Sequence, residues 1–295
     1  MHSRGAQWDD APAVLALLVA RHTADIGLPL FRLEDVHDEW RSPDVDLGRD
    51  AVLVEIDGAL AGYAIVHRPG AYAVVAPDHE GRGVGTRLLQ WAEQRERERK
   101  ADAHRQIAAS TNTRARELLE GAGYRHIRSY WRMARRLDRP IAAVDPPAGV
   151  HLRALDPDRD ANALHALDAE TFASSPDYMP ESYEVFVQQH LRVHDIAPEL
   201  SFVAQRGEEI VGFLIARRWQ HEASAYVDIL GVAPGYQRRG IGTALLTHGF
   251  AAFAAAGLTQ GQLSVASDNP RGLRVYEAAG MGPRFCFEVF ERSLD

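Results

Sequence analysis

The sequence predicts an α/β protein of two tandem domains, and three observations predict it. Its 295 residues are too many for one ordinary compact domain, and an apolar content of 46% is enough for two cores. A proline-rich break, DRPIAAVDPPAG at residues 138–149, falls near the middle; its Pro140, Pro146 and Pro147 deny both helix and central strand there. Each side of the break repeats one order of elements, the mark of a duplicated unit. Domains are therefore expected at residues 1–138 and 150–295, joined by a linker at 139–149.

The elements follow in order. Residues 11–26 and 159–172 carry apolar side chains at helical spacing. AVLVEIDG (51–58) and SFVAQRGEE (201–209) read as strands that run into turns, and AGYAIV (61–66) and VGFLIA (211–216) as the strands that come next. A glycine-rich turn and a further helix close each series: DHEGRGVGTRLL at residues 78–89 and GYQRRGIGTALL at 235–246. A shift of 157 residues superimposes the copies, Val75, Ala76 and Pro77 falling on Val232, Ala233 and Pro234. Arg82, Gly83, Gly85 and Thr86 then fall on Arg239, Gly240, Gly242 and Thr243, and without a gap Ser110, Asn112, Arg114 and Gly123 meet Ser267, Asn269, Arg271 and Gly280.

Composition excludes several function classes. A net charge of −8 argues against nonspecific binding to nucleic acid or to an anionic membrane. Lys100 is the sole lysine, so the arginine bias reads as codon usage. The single cysteine, Cys286, allows neither an internal disulfide nor a cysteine-based zinc cluster. No apolar run approaches the ~20 residues of a membrane span, and the N-terminus lacks signal-peptide order. A cytoplasmic protein is expected, monomeric or homodimeric, without a metal: His190 and His194 stand four apart, but no third ligand has a telling spacing.

The second glycine turn has a physical reading. Glycines let the main chain approach a ligand, while the first amides of a new helix near Gly240 and Ile241 have no partner within the helix. Such an end attracts phosphate, and Arg238 and Arg239 add charge suited to a pyrophosphate. A P-loop is excluded because no Gly-Lys-Ser/Thr is present, and the dinucleotide pattern G-x-G-x-x-G fails in both copies. The pattern left is Q-x-x-G-x-G, from Gln237 to Gly242.

Residues 226–280, with YVDILGVAP, QRRGIGTALL and SDNPRGLRVYEAAGM, resemble the GNAT superfamily of acyl-coenzyme A dependent N-acetyltransferases. Asn269 and Tyr276 stand at that superfamily's seven-residue spacing, and both halves of the chain share the resemblance, as in its tandem members. It implies two GNAT domains, each a twisted mixed sheet flanked by helices, whose fourth and fifth strands splay to admit the pantetheine arm of acetyl-coenzyme A. Carried over, the backbones of Leu230 and Val232 would hold pantetheine and polarise the thioester carbonyl. Gln237, Arg238, Arg239, Gly240, Ile241, Gly242 and Thr243 would bind the pyrophosphate, and Asn269 the pantetheine arm. Tyr276 would protonate the departing thiolate.

The acceptor, a small-molecule primary amine, must lose a proton before it attacks the thioester directly, since an alkyl ammonium titrates near ~10. The superfamily's usual base, a glutamate on the fourth strand, falls here on Tyr226. Regular alternation would set Glu222, Ser224, Tyr226 and Asp228 on one face, with Asp228 the leading base and Glu222, through water, the next. Phe172, Tyr178 and Tyr183, with Asp177 and Glu181, lie where the superfamily builds its acceptor pocket, and Tyr226 is a further substrate candidate.

The first copy differs. Gly62 to Pro77 spans fifteen residues, against twenty-two from Gly212 to Pro234, and the loss falls on the segment that would supply a base. Leu119 replaces the counterpart of Tyr276, and Glu80 that of Gln237. The expectation is an acetyl-coenzyme A dependent N-acetyltransferase with a working second domain and a degenerate first one. The alternatives are a non-catalytic acyl-coenzyme A sensor and an enzyme acting on a cysteinyl pseudodisaccharide, the latter disfavoured by Tyr226 in the glutamate position.

Overall fold

The computed structural model describes residues 1–295 except 68–69, 140, 176–177, 220–221 and 295, so Pro140 and Asp177 lie outside the described residues. The chain divides into two compact units, Met1–Tyr130 with Phe285–Asp295, and Trp131–Arg284.

The first unit takes, in chain order, β1 (His2–Gly5), α1 (Ala11–Ile26), α2 (Leu33–Trp40), α3 (Leu47–Asp50), β2 (Ala51–Ile56), β3 (Ala59–His67) and β4 (Gly70–Val75). Then come α4 (Val84–Glu98), β5 (Ala103–Ala109), α5 (Thr113–Gly121) and β6 (Arg125–Arg136), whose later part belongs to the second unit. The second unit continues with β7 (His151–Ala154), α6 (Pro157–Phe172), α7 (Tyr183–Phe186), β8 (Phe202–Arg206), β9 (Glu209–Trp219) and β10 (Ser224–Val232). It ends with α8 (Ile241–Ala255), β11 (Gln260–Ala266) and α9 (Pro270–Ala278), after which most of β12 (Gly282–Ser293) returns to the first unit.

Local chemistry explains the boundaries. Proline opens α1, and Gly27, at φ 74°, ends it in the left-handed conformation that glycine adopts without strain. The Asp156 carboxylate caps α6 by accepting from the amides of Asp158 and Arg159. The run Ala61–Val66 in β3 is buried at every position, as befits a strand with cover on both faces. The α8 helix is apolar nearly all round, and Leu245, Phe250 and Phe253 on it are fully buried. Truncating either phenylalanine to alanine would cost about 3–5 kcal/mol.

The sheet of the first unit runs β1-β2-β3-β4-β5-β12 and that of the second β6-β11-β10-β9-β8-β7. In each, one parallel pair, β4 with β5 or β10 with β11, adjoins antiparallel pairs. The mixed sheet is thus as expected, but its last strand is not. The same 157-residue shift places Arg125 on Gly282 and Arg136 on Ser293, so β6 and β12 are the equivalent strands of the two copies. They have changed places.

β12 pairs antiparallel with β5, from Phe287 opposite Ala109 to Ser293 opposite Ala103. It is tied down by Arg292 on the buried Glu93 at 3.0 Å and by Arg105 on Glu291 at 2.8 Å. At the end of β6, the amide of Leu137 donates to the carbonyl of Thr259 at 2.9 Å. The compact units therefore cut the chain differently from the expected 1–138 and 150–295, because strand pairing, which sequence order does not report, assigns each last strand to the other copy. The expected linker also packs with the second unit: the Val144 amide donates to the Thr247 hydroxyl at 3.0 Å.

Candidate active site of the second unit

The coenzyme-binding candidates converge at the end of β10. This strand pairs with β11 only from Ser224 opposite Gln260 to Val227 opposite Leu263, and the two then part. Its register against β9 slips between Val227 and Ile229, so Asp228 is a bulge residue. The bulge corrects the expected regular alternation, since Asp228 no longer shares one simple face with Glu222, Ser224 and Tyr226. Leu230, Val232 and Tyr276 all pack on the core cluster that contains Ile241 and Leu245.

The turn then leads into α8. Gly240, at φ 88°, stands at the helix N-cap, and a Cβ placed on it would meet nothing within 4 Å. Backbone conformation, not crowding, demands glycine there, while Gly242 lies beside Val232. The Gln237 side-chain amide donates to the Val232 carbonyl at 3.1 Å, locking turn to strand end. Arg238 is exposed and takes a left-handed φ of 63°. The exposed Arg239 guanidinium rests 5.4 Å from the centre of the Tyr236 ring, and Thr243 lies in the first turn of α8. The first amides of this helix are available to an anion.

Asn269 caps α9, its Oδ1 accepting from the Gly272 amide at 2.9 Å. Its counterpart Asn112 does the same for α5, so the residue has a structural use in both copies. Tyr276, half-buried on α9, has its phenol pushed up to about 12 by burial, with Tyr226 adding to the shift. It is therefore protonated at neutral pH.

The two expected bases are engaged. Asp228 lies 2.7 Å from His190 Nδ1 and 3.5 Å from Arg217 Nε. Burial alone would raise its carboxyl, but Arg217 and His190 outweigh burial and hold it below the usual range. Glu222 is gripped by Arg284 at 3.0 Å and accepts from the Gln262 amide at 2.7 Å.

The acceptor candidates form a second group around α6. Phe172 and Tyr178 face one another with ring centres 6.4 Å apart, and Tyr183 meets His165 at 5.8 Å. The Tyr178 hydroxyl donates to Asp168 at 3.3 Å. Burial, reinforced by Glu181, lifts the Asp168 carboxyl to about 6. His190, on a widened π turn at Val187–Leu191, bridges this group to the bulge, its Nε2 lying 3.4 Å from Glu181. Burial would lower His190, but Asp228 and Glu181 overcome it and hold the imidazolium up at about 9. Tyr226, on β10 and close enough to Tyr276 to raise its phenol, is stacked on Trp219 at 4.6 Å and 8°.

Sequence reasoning missed Asp168, Arg217 and Trp219, and it weighed His190 only as a metal ligand. Their spacing carries no motif; the fold alone brings them together.

In the first unit the equivalent turn is changed. Glu80 pairs with Arg21 and, at 2.9 Å, with Arg114, and Leu119 is buried among Leu89, Tyr124 and Phe290. A cavity of about 670 Å³ nevertheless remains there, lined among others by Arg21, Tyr72, Glu80, Gly83 and Asn112. No helix among the described residues is long and apolar enough to cross a membrane.

Comparison with known proteins agrees with this geometry. The acetyltransferase (GNAT) family model matches residues 18–124 and again 162–281. A mycothiol acetyltransferase of Thermobispora bispora is 31% identical over 292 residues, covering 96% of each chain, and one of Streptomyces avermitilis is 33% identical over 78% of this chain and 75% of its own. Among solved structures, a GCN5-related N-acetyltransferase from Sphaerobacter thermophilus matches with a TM-score of 0.80 and 29% identity over 99% of this chain and 95% of its own. A tandem GNAT protein from the clavulanic acid biosynthesis pathway matches in fold, with a TM-score of 0.75 at 16% identity over 100% of this chain and 98% of its own. The glycine turn at α8, the parting of β10 and β11 and the two family matches lead to one conclusion: the chain belongs to the GNAT family of acetyltransferases, with two GNAT regions in tandem.

Proposed function

We propose that the second unit transfers an acetyl group from acetyl-coenzyme A to the primary amine of a small molecule, and that the first copy, residues 1–138 in sequence, has lost this chemistry. The observation that carries the reading is the half-buried phenol of Tyr276 packed on the same core as the parted end of β10 and the glycine-led start of α8. The α8 amides receive the pyrophosphate, the Leu230–Val232 backbone receives pantetheine and thioester, and Asn269 offers its amide to the arm. As the tetrahedral adduct collapses, the C–S bond breaks and Tyr276 gives its proton to the thiolate.

The proton lost by the acceptor goes to Asp168. Its carboxyl is raised to about 6, whereas Asp228 is held ionised between two cations and Glu222 is tied to Arg284. Asp228 is then the anchor that charges His190, and Phe172, Tyr178, Tyr183 and Tyr226 flank the acceptor. The relatives named mycothiol acetyltransferase support a small amine-bearing acceptor.

A coenzyme-release screen over primary amines, including glucosamine, phenethylamine and amino acid amides, beside calorimetry with acetyl-coenzyme A alone, tests the reading. Binding with release on at least one amine is expected. Tight binding with no release on any would favour a sensor instead.

A further inference from the structure

The exchange of β6 and β12 has a chemical content that the two copies do not share. Arg132 and Arg135 lie on the part of β6 that belongs to the second unit. The Arg132 guanidinium carbon sits 4.3 Å from the centre of the Tyr226 ring and 4.9 Å from that of Trp219, covering the stacked pair, and its Nε and Nη1 are shielded from solvent. A guanidinium over an aromatic face is attracted by the ring quadrupole, more strongly once water is excluded. Arg135 Nη1 donates to the carbonyl of Ala279, the C-cap residue of α9, where a cation also meets the negative end of the helix. That helix carries Tyr276, one turn back.

At the equivalent strand positions, 157 residues on, β12 offers the first unit Val289 and Arg292. Val289 carries no charge, and Arg292 is committed to the Glu93 carboxylate. Among the described residues, the contacts of this strand's arginines with an aromatic pair and with the end of the tyrosine-bearing helix are made in the second unit.

We propose that Arg132 and Arg135 are positioning residues for the second unit's site, supplied to it by the first half of the sequence. Arg132 fixes the Tyr226–Trp219 plate against which the acceptor lies, and Arg135 holds the end of α9 so that Tyr276 meets the thiolate. The inference rests on the reading of that site given above. A first copy without acid or base is then retained because its last strand completes its twin.

The test uses the full chain with phenethylamine and glucosamine as probe amines. Arg132→Met should raise KM for the amine at least tenfold while kcat and the acetyl-coenzyme A Kd stay within twofold, and Arg132→Lys should recover part of the loss. Arg135→Met should lower kcat at least tenfold with KM nearly unchanged, and Arg135→Lys, which keeps a donor for the Ala279 carbonyl, should restore much of it. Arg292→Met, the matching change in the first unit, should lower Tm without moving either parameter. An amine KM within twofold in folded Arg132→Met, or equal kinetic losses in Arg292→Met, would overturn the proposal. If the wild-type chain turns over neither amine, the reading of function fails, and the positioning claim is decided by urea unfolding. Arg132→Met and Tyr226→Leu are non-additive there if the contact orders the plate, and simple addition would refute it.

Discussion

The two units start from one duplicated plan and differ in what the same positions are asked to hold. At the glycine turn, Gly83 and Gly240 share a left-handed backbone, at φ 78° and 88°, and both open a helix of fifteen residues. Beside them the second unit has Gln237 locking the strand end, and the first has Glu80 fastened to Arg21 and Arg114. Seven residues beyond the Asn269 cap of α9, Tyr276 is half-buried with a raised phenol, while its counterpart Leu119, seven beyond Asn112, fills core. Turn, cap and buried faces are kept in both copies while the side chains at these positions differ, because turns, caps and buried faces serve folding and a reacting side chain does not.

The largest expected effect that would sharpen this contrast is on kcat. Tyr276→Phe should lower it by about 10²-fold with coenzyme affinity almost intact, and Leu119→Met should leave it within twofold. An unchanged rate in Tyr276→Phe, with chemistry rate-limiting, would reduce the two positions to the same packing role.

Next in size is coenzyme binding. Gly240→Asp puts both a strained φ and a negative charge at the helix start, and calorimetry should find acetyl-coenzyme A weakened by roughly tenfold or more. The matching Gly83→Asp should have little effect if the coenzyme occupies the second unit alone. Equal losses would mean that both units bind it, and the cavity in the first unit makes that comparison worth running.

A smaller effect concerns Asp168. With its carboxyl at about 6, kcat/KM should rise through pH 6, and Asp168→Asn should remove that limb. A carboxyl whose folded pKa is raised favours the folded state at low pH, and that contribution disappears as pH climbs from about 4 to 6. Asp168→Asn should therefore raise Tm at pH 8, by about 2–4 °C, a stability gained at the expense of activity. A limb that persists in this variant returns the proton to Asp228, Glu222 or the substrate.

The smallest effect is the stability held by His190. Its raised pKa stabilises the fold fully below about 6.5, and that contribution fades as pH rises through about 9. Wild-type Tm should fall by a few degrees between pH 7 and pH 10, and Asp228→Asn should flatten the fall by removing the carboxylate that charges the ring.

Much of the fold and half of the candidate site were legible in the sequence. The repeat, the glycine turn, Asn269 and Tyr276 are local patterns, since each fixes a cap, a turn or a helix face within a few residues. The bulge at Asp228 was not legible: alternation predicts side-chain direction only while pairing with β9 stays in register. Nor was the group of Asp168, Glu181, His190 and Arg217, which comes from three stretches of chain that only tertiary packing brings together. The proline break at residues 138–149 lies inside the second unit, whose border comes earlier, within β6, because no local signal says which sheet a strand such as β6 will join.

The traded strands also govern how this molecule comes into being on the ribosome. The first unit closes its sheet with β12, and the Arg105–Glu291 contact joins residues 186 apart in sequence. Its final partner is thus made only long after β5 itself. Until then β5 presents an open edge in the nascent chain, and such edges recruit strands from other chains. The first unit therefore cannot complete its sheet before the second half has been made, and the pairing that closes it is of high contact order.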